Sequence, residues 1–389
     1  MRVVLGTHEL SSIGGSETYL VTLAQQLGRL GHDVTLHAAE CGEMAEVARS
    51  AGVLVAQAEH DLPAEVDAVV SQHASSTLVL AARYPGVPLA FVIHGVTWDC
   101  SLPPQVDGVV SRVVALNDRT ARVAASAHAG QVTRLRQPID LERFFPRGPL
   151  RERPKHVLLL GNYLRGSRRD HLVDACESLG MECLQIGRHG TLATATPEQA
   201  MGDADIVVGY GRSVLEGMAS GRAAFVYDHS GGDGWVTAQS YPALEANGFA
   251  GTASDTVLDP AGLPDRLAAY RPEMGEVNRE LARKHHEAVR HGVEMSELLS
   301  EMTPEGRPSS SHQLELARVL RSQWQADGRA ASLGVEVAEL RERLIKAERE
   351  LEAQQDALER FRATRRYRVA GALGRPMDLA RRLTKRSGR

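Results

Sequence analysis

Short apolar runs alternate with segments of helical period along most of the chain. Arg2–Gly6, Asp33–Ala38, Ala68–Ser71, Leu89–Ile93, Gly108–Leu116 and Val132–Leu135 read as strands buried on both faces. Between the first two, Tyr19, Leu20, Leu23, Leu27 and Leu30 recur at helical spacing, so Ser16 to Leu30 reads as a helix that Gly31 stops. Strands alternating with helices and short connections predict an α/β fold with a parallel, doubly wound sheet. Phe145 to Pro154 is a Pro- and Arg-rich linker. A second series follows it: His156–Leu160, Glu182–Ile186, Asp205–Val208 and Ala223–Tyr227, closed by one long helix from about Glu276 to Met302. The expectation is two Rossmann-like domains, residues 1–148 and 149–302, with a ligand cleft between them.

Beyond a Ser/Pro linker at 303–311 the period changes. Leu333, Val337, Leu340, Leu344, Ala347, Leu351, Gln354, Leu358 and Phe361 are spaced alternately by four and three. That is a heptad seam, and it predicts a coiled coil within residues 312–361, through which the chain forms a homodimer or holds a partner. A single amphipathic helix is the alternative. Residues 362–389 hold nine Arg, one Lys and one Asp, a net +9 in a chain of net −4. Apolar residues among those cations suit peripheral contact with an anionic membrane surface, and a disordered solubilising tail stays open beside it. Nucleic acid is not the expected partner, because the basic charge is confined to one end and aromatic stacking platforms are few.

The chain has 389 residues, 43% hydrophobic and 24% charged, the composition of a water-soluble globular protein. No stretch is apolar enough to span a membrane, and the first residues turn into strand and glycine too early for a signal peptide. A cytoplasmic protein, at most peripheral at the inner membrane face, is therefore expected. Cys41, Cys100, Cys176 and Cys183 lack metal-ligand spacing and read as free thiols. His285, His286, His291 and Glu287 cluster on a charged amphipathic segment, and no metal is expected there.

Chemistry concentrates at Ala204 to Gly221. An apolar strand ends at a glycine turn containing Gly211, a helix opens with Arg212 and Ser213, and one acid, Glu216, follows a turn later. Free backbone N–H groups and the helix dipole make such a turn an anion site, and the acid is placed for ribose hydroxyls. The first strand likewise runs into Gly14-Gly15 just before a helix, where backbone approaches a phosphate without a Cβ in the way. That turn lacks the G-x-G-x-x-G fingerprint, which argues against hydride transfer.

Gly14-Gly15-Ser16-Glu17, Ile139-Asp140-Leu141-Glu142-Arg143-Phe144-Phe145-Pro146 and Leu215-Glu216-Gly217-Met218-Ala219-Ser220-Gly221 stand in this order along the chain. Together they resemble the retaining family 4 glycosyltransferases of GT-B fold. The resemblance implies a nucleotide-sugar held by the second domain, an acceptor on the first, no cofactor and no metal, and transfer with retained anomeric configuration. It makes Glu216 the ribose ligand and His94, at the end of Leu89–Ile93, a catalytic histidine near the transferred sugar; His73 is a weaker candidate. Gly231 and Gly232, in a glycine-rich loop after Tyr227, are placed where the donor approaches. The sequence departs from the family pattern at three points. Val208 stands where a second glutamate is usual, Asn162 and Ser167 where diphosphate-binding Arg and Lys are, and Gln137-Pro138 precedes Ile139. Arg212 with Arg165 or Arg168 is expected to supply the phosphate-binding charge.

The expected function is sugar transfer from a nucleotide-sugar to a glycan or lipid-linked acceptor in cell envelope glycan assembly. A non-catalytic GT-B-like scaffold is the alternative the departures favour, and an acceptor-independent epimerase is a third.

Overall fold

A computed structural model of the chain describes residues 1–97, 99–127, 130–187, 196–229, 231–254, 258–304 and 310–363. Seven strands, β1 (Arg2–Leu10), β2 (Asp33–Cys41), β3 (Leu54–Ala56), β4 (Ala68–Ser71), β5 (Leu89–Ile93), β6 (Arg112–Ala115) and β7 (Val132–Arg134), form an all-parallel sheet in the order β3-β2-β1-β4-β5-β6-β7. Helices α1 (Gly15–Arg29), α2 (Glu43–Ser50), α3 (Ala74–Arg83) and α4 (Asp118–Ala127) connect them. Tyr19, Leu20, Leu23 and Leu27 of α1 are buried against β1 and β2, as their spacing requires. Leu30 instead lies just beyond the helix and is exposed, with Gly31 at φ +85°.

The second sheet contains β8 (His156–Leu160), β9 (Glu182–Ile186), β10 (Ile206–Gly209), β11 (Ala223–Asp228) and β12 (Gly231–Trp235), in the order β12-β11-β10-β8-β9. Its helices are α5 (Gly166–Ser178), α6 (Pro197–Met201), α7 (Arg212–Ala219), α8 (Tyr241–Asn247), α9 (Leu263–Ala268) and α10 (Glu273–His285). The glycine-rich loop expected after Tyr227 is largely strand: β12 pairs antiparallel with β11 at the sheet edge. Gly231 and Gly232 allow this, because a Cβ on Gly231 would overlap the Gly251 carbonyl and one on Gly232 would lie 2.6 Å from the Tyr227 ring.

The single closing helix is in fact two. α10 ends at His285, and α11 (Ala288–Glu301) starts after a break at which Glu287 bridges to Ile139. The Ile139 N–H donates to the His286 carbonyl at 2.7 Å, and the Ala288 N–H donates back to Ile139 at 3.0 Å. The Gln137-Pro138-Ile139 segment thus pairs with the returning chain, and the His286 ring bridges the Gln137 carbonyl (2.8 Å) and the Tyr241 hydroxyl (3.0 Å). Beyond the break, α11 leaves the second sheet: Met295, Leu298 and Leu299 join the core of α1 and α2. Packing therefore returns residues 288–301 to the first domain, and the boundary at 302 does not follow the core.

The last helix, α12 (Ser310–Ala363), is 54 residues long. By contacts the chain divides after Trp324, inside this helix, so Met1–Trp324 form one unit and Gln325 begins another. In the first unit, Gln313 and Ala317 are buried, Ala317 within the core of α3 and α4. In the second, the heptad residues Leu333, Val337, Leu340, Leu344, Leu351, Leu358 and Phe361 are 45–60% exposed. Among the described residues no helix is long and apolar enough to cross a membrane. Nearly all of the basic segment, 364–389, lies outside the described residues.

Candidate functional site

Each parallel strand delivers its following loop to one edge of its sheet, and several of these loops meet. In the second domain β10 ends at Gly209 and α7 begins at Arg212. Gly211 joins them with φ +56° and ψ −126°, a conformation open in practice only to glycine. Its N–H donates to the Phe249 carbonyl at 2.9 Å, which fixes the turn.

Arg212 does not extend outward from this turn. Its Nε donates to Glu216 Oε1 at 2.9 Å, one helical turn on, its Nη1 to the Pro138 carbonyl at 3.0 Å, and its Nη2 to Thr22 Oγ1 of α1 at 3.5 Å. Both side chains are buried, 7% and 10% exposed. Burial pushes the Glu216 carboxyl up against the pull of Arg212, and pushes the Arg212 guanidinium down against the pull of Glu216. The pair links the second domain to the hinge and to the first domain. Ser213 is half-buried at the second position of α7.

Across from it stands the start of α1. Gly14 caps the helix in an extended conformation, and a Cβ on Gly15 would stand 3.8 Å from Cβ of Arg212. The β8–α5 turn joins them, with Asn162 Nδ2 donating to the Ile13 carbonyl at 3.4 Å. Three loops, after β1, β8 and β10, therefore converge. Glu17 folds back over the first turn of α1, taking the Ser16 hydroxyl at 2.9 Å and crowding Gly14, where a Cβ would overlap its carboxylate. Burial raises this carboxyl to about 7.

His94 follows β5. Its ring meets Tyr19 of α1 edge-on at 4.8 Å, and its Nε2 is buried without a hydrogen-bond partner. Burial lowers its pKa to about 3, and the nearby His73, Arg212 and His291 act in the same direction, so the imidazole is neutral near pH 7. His73, before α3, is likewise lowered to about 3 by burial. Its Nδ1 accepts the His8 N–H at 3.2 Å and faces the Thr7 hydroxyl at 3.1 Å, which places the ring proton on Nε2. His291 bonds the Tyr19 hydroxyl at 2.9 Å, a packing role for one of the clustered histidines.

The structure thus brings Gly14, Gly15, Gly211, Arg212 and Glu216 together, with His94 close to Arg212. Arg165 caps the start of α5, and Arg168 lies one turn in, beside the Tyr227 phenol. Gly231 and Gly232 are occupied in packing β12. Three features escaped the sequence reading. Glu17 is one. Another is a ring cluster of Tyr163, Tyr210 and His229, with centroids 5.1–6.0 Å apart, each just after one of β8, β10 and β11. The third is Asp228, fully buried at the end of β11. Its Oδ1 accepts the His229 N–H at 2.6 Å, while Oδ2 has no partner and lies 3.2 Å from where a Cβ on Gly161 would stand. The signal for all three was position, since polar or aromatic residues directly after a parallel strand or at a helix start face the ligand edge. Among the described residues no group of His, Cys, Asp and Glu is arranged to hold a metal, and the four cysteines are free thiols.

No protein-family model matches the sequence, and a search of curated proteins finds no match. Solved structures do match. The chain resembles Anabaena Alr3699/HepE in complex with UDP-glucose (13% identity, 77% of this chain and 100% of that one, TM-score 0.52). It resembles a glycosyltransferase from Rickettsia africae (14% identity, 77% and 98%, TM-score 0.53). It also resembles WaaG, a glycosyltransferase involved in lipopolysaccharide biosynthesis (13% identity, 77% and 100%, TM-score 0.52). At such identities the likeness is one of architecture: the chain has the GT-B fold, two parallel-dominated α/β domains of the kind these glycosyltransferases share, followed by a long C-terminal helix.

Proposed function

We propose that the chain is a glycosyltransferase that moves a sugar from a nucleotide-sugar to a glycan or lipid-linked acceptor, with retention and without a metal. The observation that carries this reading is the opposition of two glycine-bearing helix starts, α1 and α7, across Arg212 at the edges of two parallel sheets. Their free N–H groups favour a diphosphate, and Arg165 and Arg168 add charge at the neighbouring turn. Hydrogen-bond donors and cations fixed where charge develops on the leaving diphosphate stabilise it as a metal would. Glu216 takes the ribose hydroxyls. His94, neutral and with a free Nε2, hydrogen-bonds the transferred sugar rather than acting as a strong acid. The acceptor hydroxyl attacks the anomeric carbon as the bond to the diphosphate oxygen breaks, and its proton passes to that oxygen. The HepE complex with UDP-glucose supports the donor class.

Thermal-shift screening of nucleotide-sugars tests this. A ligand at about a hundred times its Kd adds roughly 2.7 kcal/mol to native stability, so a clear rise in Tm is expected for one nucleotide class. If none raises Tm, the scaffold reading takes over. One observation favours that reading already: the acid expected on the ribose is held by Arg212 inside the protein.

The exposed heptad is proposed to dimerise the chain and the basic tail to hold it at an anionic membrane face. Deleting residues 325–389 should convert a sedimenting dimer to monomer and abolish pelleting with anionic vesicles. Unchanged mass, or unchanged pelleting, removes the corresponding claim.

A further inference from the structure

Arg119 is a cation of the first domain that lies on the rim of the second. It is the second residue of α4, which starts just after β6, and Asn117 caps that helix by taking the Thr120 N–H at 2.9 Å. Gly248, at φ +75° after α8, fits closely against this cap, where a Cβ would overlap the Asn117 amide. From there Arg119 crosses to the second domain and donates from Nε to the Asn247 carbonyl at 3.2 Å. The same segment supports the turn into α7. The Phe249 carbonyl takes the Gly211 N–H at 2.9 Å, and the Gly248 carbonyl lies 4.0 Å from where a Cβ on Gly211 would stand. Three successive carbonyls therefore run from Arg119 to the glycine turn.

The cations around it are already paired. Arg134 binds Asp118 at 2.8 Å and Glu245 at 2.6 Å, and Arg136 stands 3.4 Å from Glu245. Arg212, the arginine of the turn itself, is enclosed by Glu216, Pro138 and Thr22. Arg119 is half-buried, yet among the described residues no carboxylate pairs with it, and Asn247 takes its one hydrogen bond. Burial pushes its guanidinium down, opposed by Tyr210, the residue before Gly211. Burial pushes the Tyr210 phenol up, with Tyr163 and Asp228 adding to the shift and Arg119 opposing it, so the phenol is neutral and cancels none of the arginine's charge. Buried charges are paired as a rule, so a desolvated guanidinium with two terminal nitrogens left over, beside a glycine turn, points to an anion that comes with the ligand.

We propose that Arg119 binds the diphosphate of the nucleotide-sugar, a cation that the first domain lends to the turn of the second. The proposal rests on the glycosyltransferase reading. Nη1 and Nη2 donate to two phosphate oxygens, which the planar fork suits, while Nε keeps Asn247 and holds the fork in place. Arg212 then serves to fix Glu216 and the hinge, and Arg119 carries the charge that Arg212 does not present. Because Arg119 and Gly211 belong to different domains, the bound diphosphate ties the two together.

Isothermal titration calorimetry of the full chain with UDP, GDP, ADP and inorganic pyrophosphate, at low and high salt, tests it. At least one nucleoside diphosphate binds the wild type. Arg119→Gln weakens it about 10- to 100-fold, the scale of one bidentate charged contact, and flattens the fall of affinity with salt. The urea midpoint stays near that of the wild type. Arg119→Lys keeps the charge without the fork, binds with intermediate affinity, and carries the comparison if the glutamine variant unfolds. The proposal is overturned if Arg119→Gln binds the diphosphate as tightly as the wild type. It is equally overturned if affinity drops while the salt dependence stays as steep, which would leave Arg119 a purely structural link to Asn247. Pyrophosphate binding that depends on Arg119, in a protein that binds no nucleoside diphosphate, upholds the anion site and sinks only the parent reading. Binding of neither overturns both.

Discussion

The two sheets meet the ligand side with opposite chemistry. The first presents buried imidazoles: His8, lowered by desolvation against the pull of Glu40, and His73 and His94, lowered by desolvation to about 3 and so neutral near pH 7. The second presents the buried Arg212–Glu216 pair, the buried Asp228 with one oxygen unpartnered, and the basic residues of the β8–α5 turn. Neutral imidazoles offer donors and acceptors to hydroxyls, and the cations at the second sheet's turns suit a diphosphate. The difference is what a transferase needs if a neutral sugar acceptor and an anionic donor approach from opposite domains.

The sharpest way to break this contrast is at Glu216. Removing one partner of a buried ion pair leaves an uncompensated charge, at a cost of about 3–5 kcal/mol. Glu216→Ala should therefore lower the urea midpoint strongly as well as abolish the nucleotide-sugar Tm shift. Glu216→Gln keeps a hydrogen-bond acceptor for Arg212 and should recover much of the stability but not the donor shift. Full donor binding in Glu216→Gln would mean that Glu216 serves only to hold Arg212.

Next in size is acid stability. His73, His94 and His286 are lowered to about 3 and His291 to about 4, so between those values and the ordinary histidine pKa the unfolded chain binds more protons than the folded one. Their stabilisation is full above about pH 6.5 and is lost as pH falls through that window, each group by up to ~1.4 kcal/mol per pH unit. Urea unfolding at stepped pH should show a steep loss below neutrality, shallower in His286→Asn. An unchanged slope in that variant would show that His286 titrates normally.

Much of this architecture was legible because parallel strands buried on both faces read as unbroken apolar runs, and Tyr19 to Leu27 carry an unmistakable helical period. What was not legible depends on tertiary contact. Gly231-Gly232-Asp233-Gly234-Trp235 has the composition of a loop and becomes a strand because its glycines fit against Gly251 and Tyr227. The break between α10 and α11 has no Pro or Gly at His286 or Glu287, and it forms because Ile139 claims the backbone groups there. At the candidate site the glycines of both turns and Glu216 were readable from their place after a strand. The partners of Arg212 were not, since Thr22 and Pro138 lie far away in sequence. His8 and His37 gave no signal at all until strand register set them on one face of the sheet.

The finest test concerns Glu17, whose carboxyl burial raises to about 7 on the first domain's turn into α1, the turn proposed to face the phosphates. Its shift has the opposite sign to those of the histidines. The folded chain binds the extra proton between about pH 4.5 and about 7, so its contribution to stability is present at low pH and lost as pH rises through about 7. The same titration changes the site. Below it a neutral acid leaves the α1 N-terminus open to phosphate, and above it a carboxylate competes for the same N–H groups. Nucleotide-sugar affinity should therefore fall about two- to fivefold from about pH 6 to about pH 8, the scale of a charge at a helix end. Glu17→Gln, which cannot ionise, should flatten that profile and hold the tighter value throughout. A profile equally steep in Glu17→Gln would assign the titration to another group at the site and leave Glu17 without a part in donor affinity.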